Sequence, residues 1–154
     1  MADSISRRIA ALEDREAIRD LISRYGPLAD RGDCVGAAAL WTENGIYDVG
    51  GYGVHHGRAS IQALLEGEAH QGLIAGGAAH VLTMPVIELD GEEATAWTYS
   101  CVFRHIQGRF EPYRVAANRW RLARTRAGWR VAERVHRMLD GDQAARLLLA
   151  LPDT

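Results

Sequence analysis

Residues 92–106 read E-E-A-T-A-W-T-Y-S-C-V-F-R-H-I, a run of β-branched, aromatic and small residues with no proline or glycine. Such a run reads as a strand, and side chains alternate across a strand. One face is Ala96, Thr98, Ser100 and Val102, small and mildly polar. The other is Trp97, Tyr99, Cys101 and Phe103, large and mostly apolar. A small face suits a cavity wall, which makes Thr98 and Ser100 candidate substrate contacts. For Trp97, Tyr99 and Phe103 a subunit interface and core packing under a helix are equal alternatives.

Outward from this strand the pattern repeats. His80–Leu89 precedes it, and Tyr113–Arg124 and Trp129–Leu139 follow. The connections D-G, Q-G-R-F-E-P and R-A-G are hairpin chemistry. In the last segment Arg130, Ala132, Arg134, His136 and Met138 share one side, opposite Trp129, Val131, Glu133 and Val135. Period two does not say which side is concave.

The first half reads differently. Ile5, Ile9 and Leu12 suggest a short amphipathic turn or two. Ile18, Leu21, Ile22, Tyr25, Leu28 and Ala29 then follow the i, i+3, i+4, i+7 spacing of a helix with one buried stripe, closed by Gly32. A short helix is expected over Cys34–Trp41, ending in the turn T-E-N-G, then the strand I-Y-D-V and the loop G-G-Y-G-V-H-H-G. A third helix is expected over Ala59–His70, and G-L-I-A-G-G-A-A as a flexible connection. Helices followed by antiparallel strands predict an α+β fold with helices on one face of the sheet. The stretch D-Q-A-A-R-L-L-L-A-L-P predicts a C-terminal helix packed on the chain or on another subunit.

With 154 residues, 47% apolar and 25% charged, the chain is expected to form one globular domain. No apolar run approaches the roughly 20 residues that cross a bilayer. The N-terminal stretch carries acids among its apolar positions, unlike a signal or transit peptide, so a cytoplasmic location is expected. A net charge of −2 argues against a nucleic-acid binder. The ten arginines from Arg104 to Arg137 alternate with apolar residues and are expected on a solvated sheet surface. There is no lysine, which removes Schiff-base chemistry, pyridoxal phosphate attachment and a Walker-type phosphate loop. Cys34 and Cys101 are expected to be free thiols. His55-His56 point to opposite faces of an extended segment, so no metal site is expected. G-G-Y-G lacks the strand-loop-helix context of a nucleotide fingerprint.

Residues 23–33, S-R-Y-G-P-L-A-D-R-G-D, pose a geometric problem. Five residues on an ideal helix turn about 500°, placing Asp30 roughly 140° around from Tyr25. Pro27 cannot donate its backbone hydrogen bond, so the helix is expected to bend or loosen there and turn Asp30 inward.

The order A-I-R-D-L-I-S-R-Y-x4-D-R-G-D, a short strand, H-x-G-R-x-x-I, a histidine opening a strand, and G-W-R-V-x-x-R resembles the SnoaL-like branch of the nuclear transport factor 2-like (NTF2-like) superfamily, over about Ala17 to Arg137. That resemblance implies a cone-shaped α+β fold, a curved antiparallel sheet wrapped around helices with an apolar pocket inside. The nearest enzymatic likenesses are scytalone dehydratase, the bile-acid 7α-dehydratases and hexachlorocyclohexane dehydrochlorinase. They use a histidine–aspartate dyad without metal or organic cofactor.

By the same resemblance, Asp30 and His80 match the dyad, and Tyr25 and Tyr47 match two pocket tyrosines. Arg134 matches an arginine five residues past the G-W tryptophan, and Asn118 an asparagine of the dehydratases. Imidazole suits proton abstraction beside a carbonyl, and a carboxylate behind it stabilises the charge it gains and fixes its tautomer. Tyrosine hydroxyls suit the enolate-like oxygen. Arg134 could hold an anionic group or support Asp30.

The expected function is a cofactor-independent lyase, a dehydratase acting on a hydrophobic cyclic or polycyclic small molecule, in a homo-oligomer that is a dimer or trimer. An isomerase or cyclase using the same proton abstraction is the near alternative; a non-catalytic small-ligand-binding protein is the other.

Overall fold

The computed structural model describes residues 2–153, with the side chains of residues 2 and 3 excepted. Helix α1 (Ala2–Ser23) leads into α2 (Tyr25–Asp30) and α3 (Cys34–Ala38). Strands β1 (Trp41–Val49) and β2 (Gly53–His56) follow, then α4 (Arg58–Glu66) and α5 (Glu68–Gly76). The sheet is completed by β3 (Ala78–Leu82), β4 (Val86–Asp90), β5 (Glu93–Ile106), β6 (Arg109–Thr125) and β7 (Gly128–Met138), and α6 (Gln143–Leu148) ends the chain.

The sheet runs β2-β1-β7-β6-β5-β3, with β4 also paired to β5. Every pair is antiparallel except β1 and β7, which run parallel. The fold is thus the expected α+β arrangement, N-terminal helices on a curved, unclosed sheet.

Several boundaries differ from the sequence expectation for physical reasons. Residues 80–89 are two strands, because Pro85 has no N–H for a ladder and sits in the gap between β3 and β4. The connection Q-G-R-F-E-P shrinks to Gln107-Gly108, whose φ values of 49° and 78° make the tight left-handed turn that a two-residue hairpin needs. The T-E-N-G segment is inside β1, at an irregularity between Trp41 and Ile46. The Ala59–His70 helix is divided at Gly67, and G-L-I-A-G of the segment expected to be flexible belongs to α5. The residues around Ile5, Ile9 and Leu12 continue into α1 instead of forming a separate turn, and all three are exposed.

Two one-residue bulges bend the sheet. On β6, Tyr113 is extra between the Val102–Arg114 and Phe103–Pro112 pairs. On β7, Ala132 is extra between the Arg121–Glu133 and Leu122–Val131 pairs. A bulge reverses the facing of everything beyond it. Strict alternation set Val131 opposite Arg134 and His136. The bulge at Ala132 puts all three on the concave side, across from Leu122, Trp120 and Asn118.

Ile18, Leu21 and Ile22 of α1 pack with Trp41, Trp120, Leu122, Trp129 and Val131 to form the core. Asp14 staples α1 to the sheet by accepting from Trp129 Nε1 at 3.1 Å and pairing with Arg124 at 2.6 Å. On the convex side, α6 packs on Ala117, Val135 and Leu139 of its own chain through Ala145 and Leu148. Among the described residues no helix is long and apolar enough to cross a membrane.

Candidate active site

The helical run is interrupted at Arg24, one turn before Pro27, and Pro27 sits in the first turn of the helix that carries Tyr25 and Asp30. α1 stops at Ser23, the residue whose carbonyl Pro27 would have to satisfy, and α2 restarts at Tyr25. α2 then lies directly on β3. Gly26 makes this possible, because a Cβ there would stand 2.1 Å from the His80 carbonyl oxygen. Gly32, at φ 77°, caps the helix end, with its N–H on the Ala29 carbonyl and Asp33 N–H on that of Leu28.

This close approach brings Asp30 to His80. One carboxylate oxygen takes the backbone N–H of His80 at 2.8 Å, and the other lies 2.5 Å from the ring Nδ1. With the carboxylate accepting, Nδ1 carries the proton and Nε2 is left as the basic nitrogen. His80 lines a cavity of about 360 Å³. Tyr25 packs edge-on against the His80 ring at 6.2 Å between centroids. His70 lies 5.5 Å away on the other side and donates from Nε2 to the Ala29 carbonyl.

The opposite wall is built around Arg134. It is almost fully buried, at 2% exposure. Its guanidinium lies over three rings, 4.4 Å from Tyr25, 4.8 Å from Tyr47 and 4.2 Å from Trp120. Such stacking offsets part of the cost of burying the charge. Arg134 Nε donates to Asn118 Oδ1 at 2.9 Å, which fixes the amide so that its NH₂ donates to Ser100 Oγ at 2.8 Å. The Ser100 hydroxyl hydrogen is thereby free for the cavity, which Ser100 lines. Arg134 Nη1 is buried with no partner.

The sequence-expected residues therefore separate into two groups. His80, Tyr25, Tyr47, Arg134 and Ser100 line the cavity, and Asp30 supports His80 from behind. Thr98 and Asn118 do not line it, a correction to their expected substrate contact. Thr98 accepts from Trp120 Nε1 at 3.0 Å beneath the wall, and Asn118 is consumed by Arg134 and Ser100. Three of the ten arginines expected on a solvated surface, Arg104, Arg114 and Arg134, face the cavity instead.

His136, His70, Tyr52 and Tyr113 also line the cavity and were not singled out from the sequence. Period two paired His136 with Arg134, so a signal existed. For Tyr113 none did, because consecutive residues Tyr113 and Arg114 share the cavity only through the bulge.

Burial sets the protonation states. Desolvation, with Tyr47 adding to it, raises the Tyr25 phenol well above its ordinary 10, so the hydroxyl stays a donor. Burial, then the charges of Arg134 and Arg114, lowers His136 from 6.5 to about 3, so its ring is neutral. Burial likewise lowers His70. Among the described residues no three side chains gather as a metal-binding set.

The site thus combines an oriented imidazole, the protonated phenol of Tyr25 and a buried cation in one hollow. The SnoaL-like domain profile matches residues 10–135. The chain belongs to the SnoaL-like family. The chain is similar to an NTF2-like protein with a cystatin-like fold from Novosphingobium aromaticivorans, with 48% identity over 96% of each chain and a TM-score of 0.93. It is also similar to a protein of unknown function from Mycobacterium tuberculosis, with 25% identity over 92% of this chain and 79% of that one, and a TM-score of 0.75. A Catenulispora acidiphila protein solved in complex with S-DNPA shares the fold, with 22% identity over 84% of this chain and 94% of that one, and a TM-score of 0.72. No curated protein matches the chain.

Proposed function

We propose that this SnoaL-like protein is a lyase that removes water from a hydrophobic cyclic β-hydroxy carbonyl compound, using only its own side chains. The observation that carries this is the Asp30–His80 pair, which presents the ring of a tautomerically fixed histidine to an apolar cavity. The substrate C–H bond beside the carbonyl breaks and its proton goes to His80 Nε2. The bonding electrons move into an enolate, whose oxygen takes hydrogen bonds from the phenols of Tyr25 and Tyr47. The enolate re-forms the carbonyl as the β-carbon–oxygen bond breaks, and the imidazolium proton leaves with the hydroxide as water. His80 ends neutral, and Asp30 remains ionised throughout. An isomerase or cyclase would share the first step and differ in what the enolate does next.

Proton abstraction is separable from elimination, so it is tested first. The wild-type protein is expected to accelerate exchange of the α-protons of bicyclic ketones such as 2-tetralone into deuterated water, followed by NMR. His80→Ala is expected to lose about 10²–10⁴-fold, the usual worth of a general base. Asp30→Asn should lose less, because the imidazole survives without its partner. Exchange equally fast in wild type and His80→Ala would remove the dyad from the mechanism and favour a ligand-binding protein. Dehydration of the matching β-hydroxy ketones then separates lyase from isomerase.

A further inference from the structure

The cavity surface has a charge asymmetry. Arg104, Arg114 and Arg134 line it, together with His70, His80 and His136, and among the described residues no Asp or Glu does. Arg134 sits deep, whereas Arg104 and Arg114 sit with Tyr52 and Tyr113, which are 44% and 40% exposed and so mark the rim. The Arg104 guanidinium lies 4.8 Å over the Tyr113 ring, and Arg114 lies 4.6 Å over the Tyr52 ring. Hydrogen bonding with the Tyr113 side chain, ahead of burial, raises the Tyr52 phenol, which ties the two tyrosines together. Four side chains from three segments thus form one continuous rim.

Neither rim arginine has an anionic partner among the described residues. Arg114 donates from Nη2 to the Gly50 carbonyl at 2.7 Å, which anchors it to the loop after β1. Arg104 has a buried Nε with no partner. Glu111 stands directly across from Arg104 in the ladder, yet its carboxylate lies 3.9 Å from Arg109 instead. The bulge at Tyr113 is what turns both Tyr113 and Arg114 toward the cavity. Two guanidiniums held over rings at the mouth, with no carboxylate of the described residues paired to them, are prepared for an anion.

We propose that Arg104 and Arg114 form an anion clamp at the mouth, and that the ligand of this cavity carries a carboxylate there. This rests on the cavity being the substrate site proposed above and names the substrate class: an apolar ring system seated by His80, with a carboxylate held at the rim. A carboxylate fits better than a phosphate, because each arginine offers one planar edge and no backbone N–H cradle accompanies them.

The test is equilibrium binding, read by quenching of tryptophan fluorescence. The probes are 2-naphthylacetate, the neutral 2-naphthylacetamide and 2-naphthyl phosphate. Wild type is expected to bind the carboxylate about tenfold or more tighter than the amide, as charge-assisted hydrogen bonds would give. Arg104→Gln/Arg114→Gln should bring that ratio close to one. The Arg104→Lys/Arg114→Lys variant should restore part of it. His80→Ala should keep the full preference, so failure of the catalytic proposal and failure of the clamp are distinguishable.

Equal binding of acid and amide by wild type would overturn the clamp. A preference that persists in the double glutamine variant would place the anion at Arg134 and overturn the rim assignment. Tighter binding of the phosphate than of the carboxylate would overturn the ligand class.

Discussion

His136 shows how much of the site depends on single residues that the sequence leaves ambiguous. Its ring is 4% exposed, Nδ1 has no partner, and Arg134, Arg114 and Arg137 add positive charge around it. Its ordinary value of 6.5 falls to about 3 in the fold. Below 6.5 the unfolded chain takes up a proton that the folded chain refuses. Stability from this residue is therefore complete above 6.5 and is lost as pH falls toward about 3. The slope from one proton is at most about 1.4 kcal/mol per pH unit. Thermal melts of His136→Leu should show a shallower decline than wild type through the upper half of that window, where carboxylates have not yet begun to titrate. Parallel curves would mean that the folded protein charges His136 without cost. The meeting of Asp30 with His80 was legible only through the family resemblance, since neither residue stands out by its own surroundings in the sequence. The role of Asn118 was not, since only its bonds to Arg134 and Ser100 show that it orients rather than touches.

At the scale of elements, helix α2 is the piece on which the site turns. Six residues, Y-G-P-L-A-D, hold Tyr25 in the cavity and Asp30 on His80, and Gly26 lets them sit against β3. Gly26→Ala puts a methyl group 2.1 Å from the His80 carbonyl oxygen, and backbone cannot yield as a side-chain tip can. Overpacking of this kind costs about 1–3 kcal/mol. The variant should melt lower than wild type and lose α-proton exchange together, because α2 must lift and carry Asp30 away. A variant that melts lower and exchanges at the wild-type rate would mean that Asp30 follows His80 through the shift.

Pro27 gave advance notice that this helix is interrupted. The bulges at Tyr113 and Ala132 gave none, because an extra residue in a ladder depends on the partner strand. Tertiary pairing therefore decided which faces met the cavity, while composition and turns decided where the strands were.

Across the whole molecule, the two sides of the sheet have different partners. The concave side closes on α1 and α2 around core and cavity. The convex side is only partly covered: α6 packs on β6 and β7, while Val81, Tyr99 and Val115 stay 48%, 50% and 43% exposed on β3, β5 and β6. Cys101 bridges Val81 and Val115 in the ladder, so these residues form one continuous apolar stripe. The C-terminal helix, one candidate for a subunit contact, is engaged within its own chain. The bulky face of β5 is the other, and its exposure favours a second copy over core packing at Tyr99. Contiguous exposed apolar residues of this kind are a candidate surface for a second copy. We therefore expect a dimer or trimer across the micromolar range by sedimentation equilibrium, joined through this stripe. Tyr99→Arg/Val115→Arg should sediment as a monomer with an unchanged far-UV circular dichroism spectrum. It should retain α-proton exchange, since both residues lie on the side away from His80. A wild-type protein that sediments as a monomer at every concentration would refute self-association. A double variant that keeps the wild-type mass would move the contact to the exposed Ile5, Ile9 and Leu12 stripe of α1.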